Sequence, residues 1–180
     1  IPSTITLTEV FWNYHYVGKS WSYYPGIEPY LTKRNWGHDK EYGKTVATKI
    51  IDPKFQDFIV GAMKAKMQSS QSDGIMLDWW HDNHTNSSGY SKHQVRKARI
   101  EIAKKLRNEI GPDKIILGNV NWKKDKATVP YINGVFLELY KSPYNASSGR
   151  LYRSQELKKI EGLLNYYEKN LQEPKLIALN

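Results

Sequence analysis

Two carboxylates occupy matched places in two similar segments. Asp73-Gly74-Ile75-Met76-Leu77-Asp78-Trp79-Trp80 and Asn133-Gly134-Val135-Phe136-Leu137-Glu138-Leu139-Tyr140 each run glycine, three apolar residues, an acid, then bulk. Glycosidic cleavage needs one carboxylic acid to protonate the leaving oxygen and a second carboxylate to attack or to activate water. A short apolar run behind a glycine reads as a buried parallel strand, and an acid just after it sits at the C-terminal end, where barrels of parallel strands build their sites. Along an extended strand Asp78 shares side-chain parity with Met76, and Glu138 with Phe136. Asp78 and Glu138 are therefore the expected catalytic pair. One strand lies between them, which leaves both the retaining and the inverting outcome open. The competing reading makes either acid a loop cap or the partner of a Lys or Arg.

Other residue types near strand ends suit sugar binding. Asn119 and Asn121, in Gly118-Asn-Val-Asn-Trp122, offer amides to hydroxyls or to a carboxylate, though asparagine also forms turns. Glu9 is a third strand-end acid, with a structural ion pair as its alternative. Aromatic rings present flat faces to the axial C–H groups of a pyranose. Trp12, Trp80, Trp122 and Tyr140 are the expected platforms and His81 a hydrogen-bonding neighbour, core packing being the bland explanation for some of them. Trp79 and Trp80 are consecutive, so one of the two is expected to pack under the helices. His81-Asp82-Asn83-His84 invites a metal reading but lacks a defined third ligand, and no metal and no cofactor is expected. Asn83-His-Thr85, Asn86-Ser-Ser88 and Asn145-Ala-Ser147 match glycosylation acceptors.

The elements that must position these groups alternate. Strands are expected at Ile5–Phe11, Gly74–Trp80, Lys114–Val120, Gly134–Tyr140 and Lys175–Leu179. Asp52-Pro53 starts a helix to about Gln68, Ser91 a second that stops at Gly111-Pro112, and Ser154-Gln-Glu-Leu157 a third that ends before Pro174. A short helical turn is expected between Lys123 and Ile132. This is the pattern of parallel βα units. The expected fold is α/β, a parallel (β/α) barrel of TIM type, incomplete, with about five strands in this chain. Residues 1–180 read as one domain, with residues 12–50 a long aromatic-rich loop or insertion that lacks a clear period. A full barrel typically takes about 250 residues, so the chain reads as a slice of a larger one.

Composition narrows the partners. The 180 residues include 27 Lys and Arg, 18 Asp and Glu and no cysteine, for a net charge of +9. Without cysteine there is no disulfide framework and no thiolate chemistry. The cations Lys92, Arg96, Lys97, Arg99, Lys104, Lys105 and Arg107 are interspersed with Glu101 and Glu109, as on a solvated helix face. No nucleic-acid signature accompanies them. No stretch approaches the roughly 20 apolar residues of a membrane span. The chain begins at Ile1 with no basic-then-apolar leader, and no compartment is assigned. The expected partners are a carbohydrate substrate, no nucleic acid and no membrane. A homodimer through the open side of the barrel is also expected, covering inward faces around Ile75, Leu77, Ile116, Val135 and Leu137.

With Asp52-Pro-Lys-Phe-Gln-Asp-Phe-Ile59, DGIMLDWW at 73–80, GNVN at 118–121, YINGVFLELY at 131–140 and EPKLIALN at 173–180, the chain resembles the hypothetical glycoside-hydrolase-like family 15. That family is distantly similar to the α-galactosaminidase-type family 114 barrels. The resemblance spans about residues 45–180. It implies a (β/α)8 barrel and a glycosidase of unassigned substrate, with Asp78 and Glu138 at the strand-end acid positions. The departure is length, since the family's barrel extends beyond this chain. The alternative is a carbohydrate-binding or catalytically inactive barrel fragment without turnover.

Overall fold

A computed structural model describes residues 4–19, 23–39, 43–82, 89–139 and 152–180 of the chain, with only the backbone for 35–39. The elements are β1 (Leu7–Val10), β2 (Tyr14–Tyr16), β3 (Leu31–Asp39), β4 (Gly43–Thr48), α1 (Pro53–Ser69), β5 (Gly74–Leu77), α2 (Lys92–Ile110), β6 (Ile115–Asn119), β7 (Gly134–Leu137), α3 (Ser154–Asn170) and β8 (Leu176–Leu179). Strands β1, β5, β6, β7 and β8 form one parallel sheet in that order, with β1 and β8 at its edges. All five expected strands are present within their expected bounds. The architecture is α/β, an incomplete TIM-type barrel.

Local chemistry explains the elements. The Asp52 side chain accepts from the Lys54 N–H at 2.9 Å, capping α1, whose first residue is proline. Ser91 and Gln94 make a reciprocal capping box at the start of α2, and Gly111, at φ 82°, ends it. Gly74 is required by close approach, because a Cβ there would lie 2.2 Å from the Ile115 carbonyl oxygen. That is the physical content of the glycine that opens the first acid-bearing strand.

Strand alternation sorts the sheet into two faces. Val10, Ile75, Leu77, Ile116, Val135 and Leu137 are wholly buried, in one apolar cluster with Phe55, Ile59 and Met63 of α1, Val95, Ile102 and Leu106 of α2 and Tyr167 of α3. Each such side chain contributes about 1.5–3 kcal/mol of burial free energy. The opposite parity carries Glu9, exposed, and Met76 and Phe136, partly exposed. The expectation that put Ile75, Leu77, Ile116, Val135 and Leu137 on an exposed inward face is corrected: they lie under the helices, and Met76 and Phe136 face the open side. The branched side chains follow the helices because that face offers the larger apolar area.

Residues 12–50 are not a structureless loop. They hold a second, antiparallel sheet of order β2-β4-β3, with Tyr14 opposite Ala47 and Tyr16 opposite Thr45. Its period is illegible because β2 has three residues and β3 shifts register twice, between Leu31 and Asn35 and between Asn35 and Gly37. Trp12, Tyr24, Ile27 and Ile50 of this segment join the main apolar cluster.

The expected helical turn between Lys123 and Ile132 is absent as a helix. The Asp125 side chain instead accepts the N–H groups of Ala127 and Thr128, and a single turn closes on the Thr128 carbonyl. An aspartate that bonds backbone two and three residues on competes with helix at the same positions. Arg99 also departs from expectation. It is 1% exposed rather than on a solvated face, and its guanidinium reaches Asp82, Asp125 and the Trp80 carbonyl.

Candidate active site

Asp78 follows β5, Asn119 ends β6 and Glu138 follows β7, all with the parity that faces away from the helices. The Asn119 Nδ2 donates to Asp78 Oδ1 at 3.0 Å and to Glu138 Oε2 at 2.9 Å. Asn119 is buried, and its Oδ1 accepts the Asn121 N–H at 3.2 Å, which sets the amide orientation. Both Nδ2 hydrogens are thus committed, one to each carboxylate. Two acceptors on one planar –NH2 lie about 5 Å apart, from the ~120° between its hydrogens and ~3 Å bonds. One amide spaces the acid pair.

Asp78 is half-buried. The Tyr14 hydroxyl, from β2, donates to its Oδ2 at 3.2 Å. Burial pushes the Asp78 carboxyl up from 3.8 to about 6, the Asn119 bond opposes this, and the negative charge of Glu9 adds to it. Burial also drives the Tyr14 phenol far above its ordinary value, reinforced by the Asp78 charge. Tyr14 therefore remains a donor at any pH the protein meets. The Glu138 Oε1 has no hydrogen-bond partner among the described residues.

The tryptophans divide. Trp80 is fully buried, its Nε1 donating to Thr128 Oγ1 at 2.8 Å and its ring lying 4.8 Å from the Arg99 guanidinium carbon. Trp12 is also fully buried, edge-on to Trp80 at 4.8 Å, and its Nε1 donates to the Asp78 carbonyl at 2.9 Å. Neither ring is a sugar platform, so both expectations are corrected. Apolar area beneath the sheet outweighs any gain from exposing these indoles, and both N–H groups find acceptors there. The exposed member of the pair is Trp79, at 43%. Its backbone is left-handed, φ 52°, a conformation uncommon for a bulky residue that recurs at functional sites. The ring sits edge-on to Tyr14 at 6.4 Å and stacks on His81 at 6.2 Å.

The remaining expected residues spread around this centre. Glu9 lies on edge strand β1, exposed, opposite Met76 in the register. Asn121 is half-buried beside Asn119, at φ 50°. Trp122 is half-buried, with its ring edge-on to Tyr152 at 5.9 Å and Lys159 Nζ 5.2 Å above it. His81 is buried, and its imidazole is pushed down to about 4 by desolvation and by Arg99 and Lys123, so it is neutral at pH 7. Tyr140, the candidate glycosylation acceptors and His84 lie outside the described residues. Among the described residues no cluster of His, Asp and Glu has the arrangement of a metal site.

Sequence reasoning meets Tyr14 and Trp79 among the strand-end aromatics but does not single them out. Tyr14 is legible only as one of many aromatics, because the contact to Asp78 crosses 64 residues of sequence. Trp79 is hidden by the choice between consecutive tryptophans, which alternation poses but cannot answer.

A model of the family described as hypothetical glycosyl hydrolase family 15 matches residues 14–177 of the chain. No curated protein matches its sequence. Among solved structures the fold is similar to the glycoside hydrolase domain of PelA from Pseudomonas aeruginosa, at TM-score 0.62 and 11% identity, over 97% of this chain and 66% of that one. It is also similar to the chitinase domain of the spore coat protein CotE from Clostridium difficile, at TM-score 0.51 and 17% identity, over 73% of this chain and 43% of that one. The chain thus spans under two thirds of the length of either solved domain.

Proposed function

Because this chain belongs to the hypothetical glycosyl hydrolase family 15, we propose that it cleaves glycosidic bonds with Asp78 and Glu138 as its catalytic pair. The observation that carries the reading is the Asn119 amide, which donates to both acids; ideal amide geometry then puts the two accepting oxygens about 5 Å apart. Retaining glycosidases hold their carboxyl groups about 5–5.5 Å apart, whereas inverting ones leave about 6.5–9.5 Å for a water. The proposed reaction retains anomeric configuration.

The roles follow from the hydrogen bonds. Both Asp78 oxygens accept bonds, from Asn119 and from Tyr14, and above the raised value of about 6 the carboxyl is the anion that these donors favour. Asp78 is the nucleophile, attacking the anomeric carbon to form a glycosyl-enzyme ester. Glu138 is fixed through Oε2 and acts through Oε1. It protonates the leaving glycosidic oxygen, then takes a proton from the water that hydrolyses the ester. Trp79 supplies an exposed ring face beside the pair, and Glu9 and Asn121 offer polar partners for hydroxyls.

Reducing-end release from a panel of polysaccharides tests the reading, with Asp78→Asn and Glu138→Gln as controls and proton NMR of the first-formed anomer. Release that depends on both acids, with retained configuration, is the expected result. Release that persists in both variants removes the pair from the mechanism, and an inverted product removes the role of Asp78 as nucleophile. The pH dependence has a defined sign. The nucleophile works ionised, so kcat/KM rises with pH through about 6 as Asp78 loses its proton.

A further inference from the structure

A cavity of about 420 Å3 lies between the N-terminal turns of α2 and the loop that follows β6, with His81 and Asp82 on its wall. Its size falls at the lower end of the range for small-molecule sites, enough for one sugar ring with a substituent. Six cations line it: Lys92, Arg96, Arg99, Lys123, Lys124 and Lys126. Its two acids are already engaged. Asp82 pairs with Arg96 and Arg99, and Asp125 pairs with Arg99 at 2.5 Å. The four lysines have no carboxylate partner among the described residues, Lys124 lying instead over the Tyr166 ring.

A second observation concerns one of these cations. Arg99 is 1% exposed, yet its Nε has no hydrogen-bond partner. A buried guanidinium N–H left unpaired is costly unless something occupies it. His81 links the two places: its ring stacks on Trp79, the neighbour of Asp78, and the residue also lines the cavity. Bound neighbours along one polymer would therefore meet the acid pair and the cavity in succession.

We propose that this cavity is a subsite for an anionic sugar, one that bears a carboxylate, sulfate or phosphate group, and that the substrate class is an acidic polysaccharide. The proposal rests on the reading of the chain as a glycosidase. Concentrated unpaired lysines raise the local potential and recruit anions, and the effect is screened by salt. Ammonium groups beside the half-exposed Arg96 guanidinium suit an oxyanion group held on a ring.

The test measures binding of trigalacturonate and of its fully methyl-esterified, uncharged form to the intact chain by calorimetry, at low and at high salt. The acid form is expected to bind at least about tenfold more tightly at low salt, a margin of one RT ln 10, and to lose most of that margin at high salt. Lys123→Glu/Lys126→Glu, both at exposed positions, should abolish the preference, while Lys64→Glu on α1 should leave it unchanged. Glucose 6-phosphate and glucose 6-sulfate, measured in the same way, distinguish phosphate and sulfate from carboxylate as the recognised group. Equal affinity for acid and ester, or equal loss with the Lys64→Glu control, overturns the subsite. A DNA oligonucleotide that binds as tightly as trigalacturonate through the same two lysines also overturns it, in favour of nucleic acid. Cleavage of a neutral glycan that needs Asp78 and Glu138 but not the lysines overturns the subsite alone. Preferential binding of the acid form with no cleavage of any glycan overturns the glycosidase reading and leaves the subsite standing.

Discussion

Asp78→Asn should make the protein more stable at pH 7.5 while it removes activity. Burial raises the folded-state carboxyl from 3.8 to about 6. Between those values the folded chain binds more protons than the unfolded chain, so stability falls as pH rises through that window. The cost is absent below 3.8 and fully present above about 6, where it approaches about 3 kcal/mol at 1.36 kcal/mol per tenfold. An amide carries no charge and avoids that cost. It also meets one of the two donors, the Asn119 Nδ2 or the Tyr14 hydroxyl, with its own –NH2, which forfeits about 1–1.5 kcal/mol. The net gain is about 1.5 kcal/mol at pH 7.5, or about 3–6 °C in Tm for a chain of this length. At pH 3.5 the wild-type acid is neutral in both states, and the advantage should vanish or turn slightly negative. Urea unfolding at the two pH values measures both differences. A variant less stable than wild type at pH 7.5, or equally more stable at both pH values, would refute the reasoning that the folded protein holds a charge against its desolvation cost.

Three further outcomes are expected. Asn119→Ala releases both carboxylates from their common donor and should lower kcat by about 10²-fold, the cost of a misplacement near 1 Å, with KM little changed in steady-state kinetics. Arg99→Met leaves Asp82 and Asp125 without their buried counter-charge and should cost about 3–5 kcal/mol in chemical denaturation. Gly118→Ala would set a Cβ 2.5 Å from Trp80 Cδ1 inside the core. It should destabilise by about 1–3 kcal/mol and alter the near-UV circular dichroism of the tryptophans, as overpacking does.

The sheet is legible in the sequence because parallel strands covered by helices leave a continuous apolar signature with sharp ends. Gly-Ile-Met-Leu-Asp and Gly-Val-Phe-Leu-Glu read as strands ending in acids, and each is a strand with its acid in the next position, while α1 and α2 are capped where Asp52, Ser91 and Gly111 predict. The antiparallel sheet at residues 14–48 is not legible. The pairs of β2 with β4 form between segments about thirty residues apart, and two register shifts in β3 erase the alternation that would announce its pairing with β4.

At the candidate site the sequence by itself determined which residues stand at strand ends and which of them share a parity. This is local information, set by the two-residue repeat of a strand. It placed Asp78 and Glu138 at strand ends with one orientation, and Asn119 at the end of the strand between them. Only the tertiary structure decided that one Asn119 amide spans both acids, that Tyr14 reaches Asp78 across the sheet boundary, and that Trp79 rather than Trp80 remains outside. Each of those outcomes depends on contacts between segments distant in the chain. Burial too is a tertiary property. Arg99 and Arg96 look alike on one helix, yet the loops after β5 and β6 enclose Arg99 and leave Arg96 half in solvent. The same holds for the charge state of Asp78, since desolvation depends on what the rest of the fold packs around a side chain, and no run of neighbours in sequence specifies that.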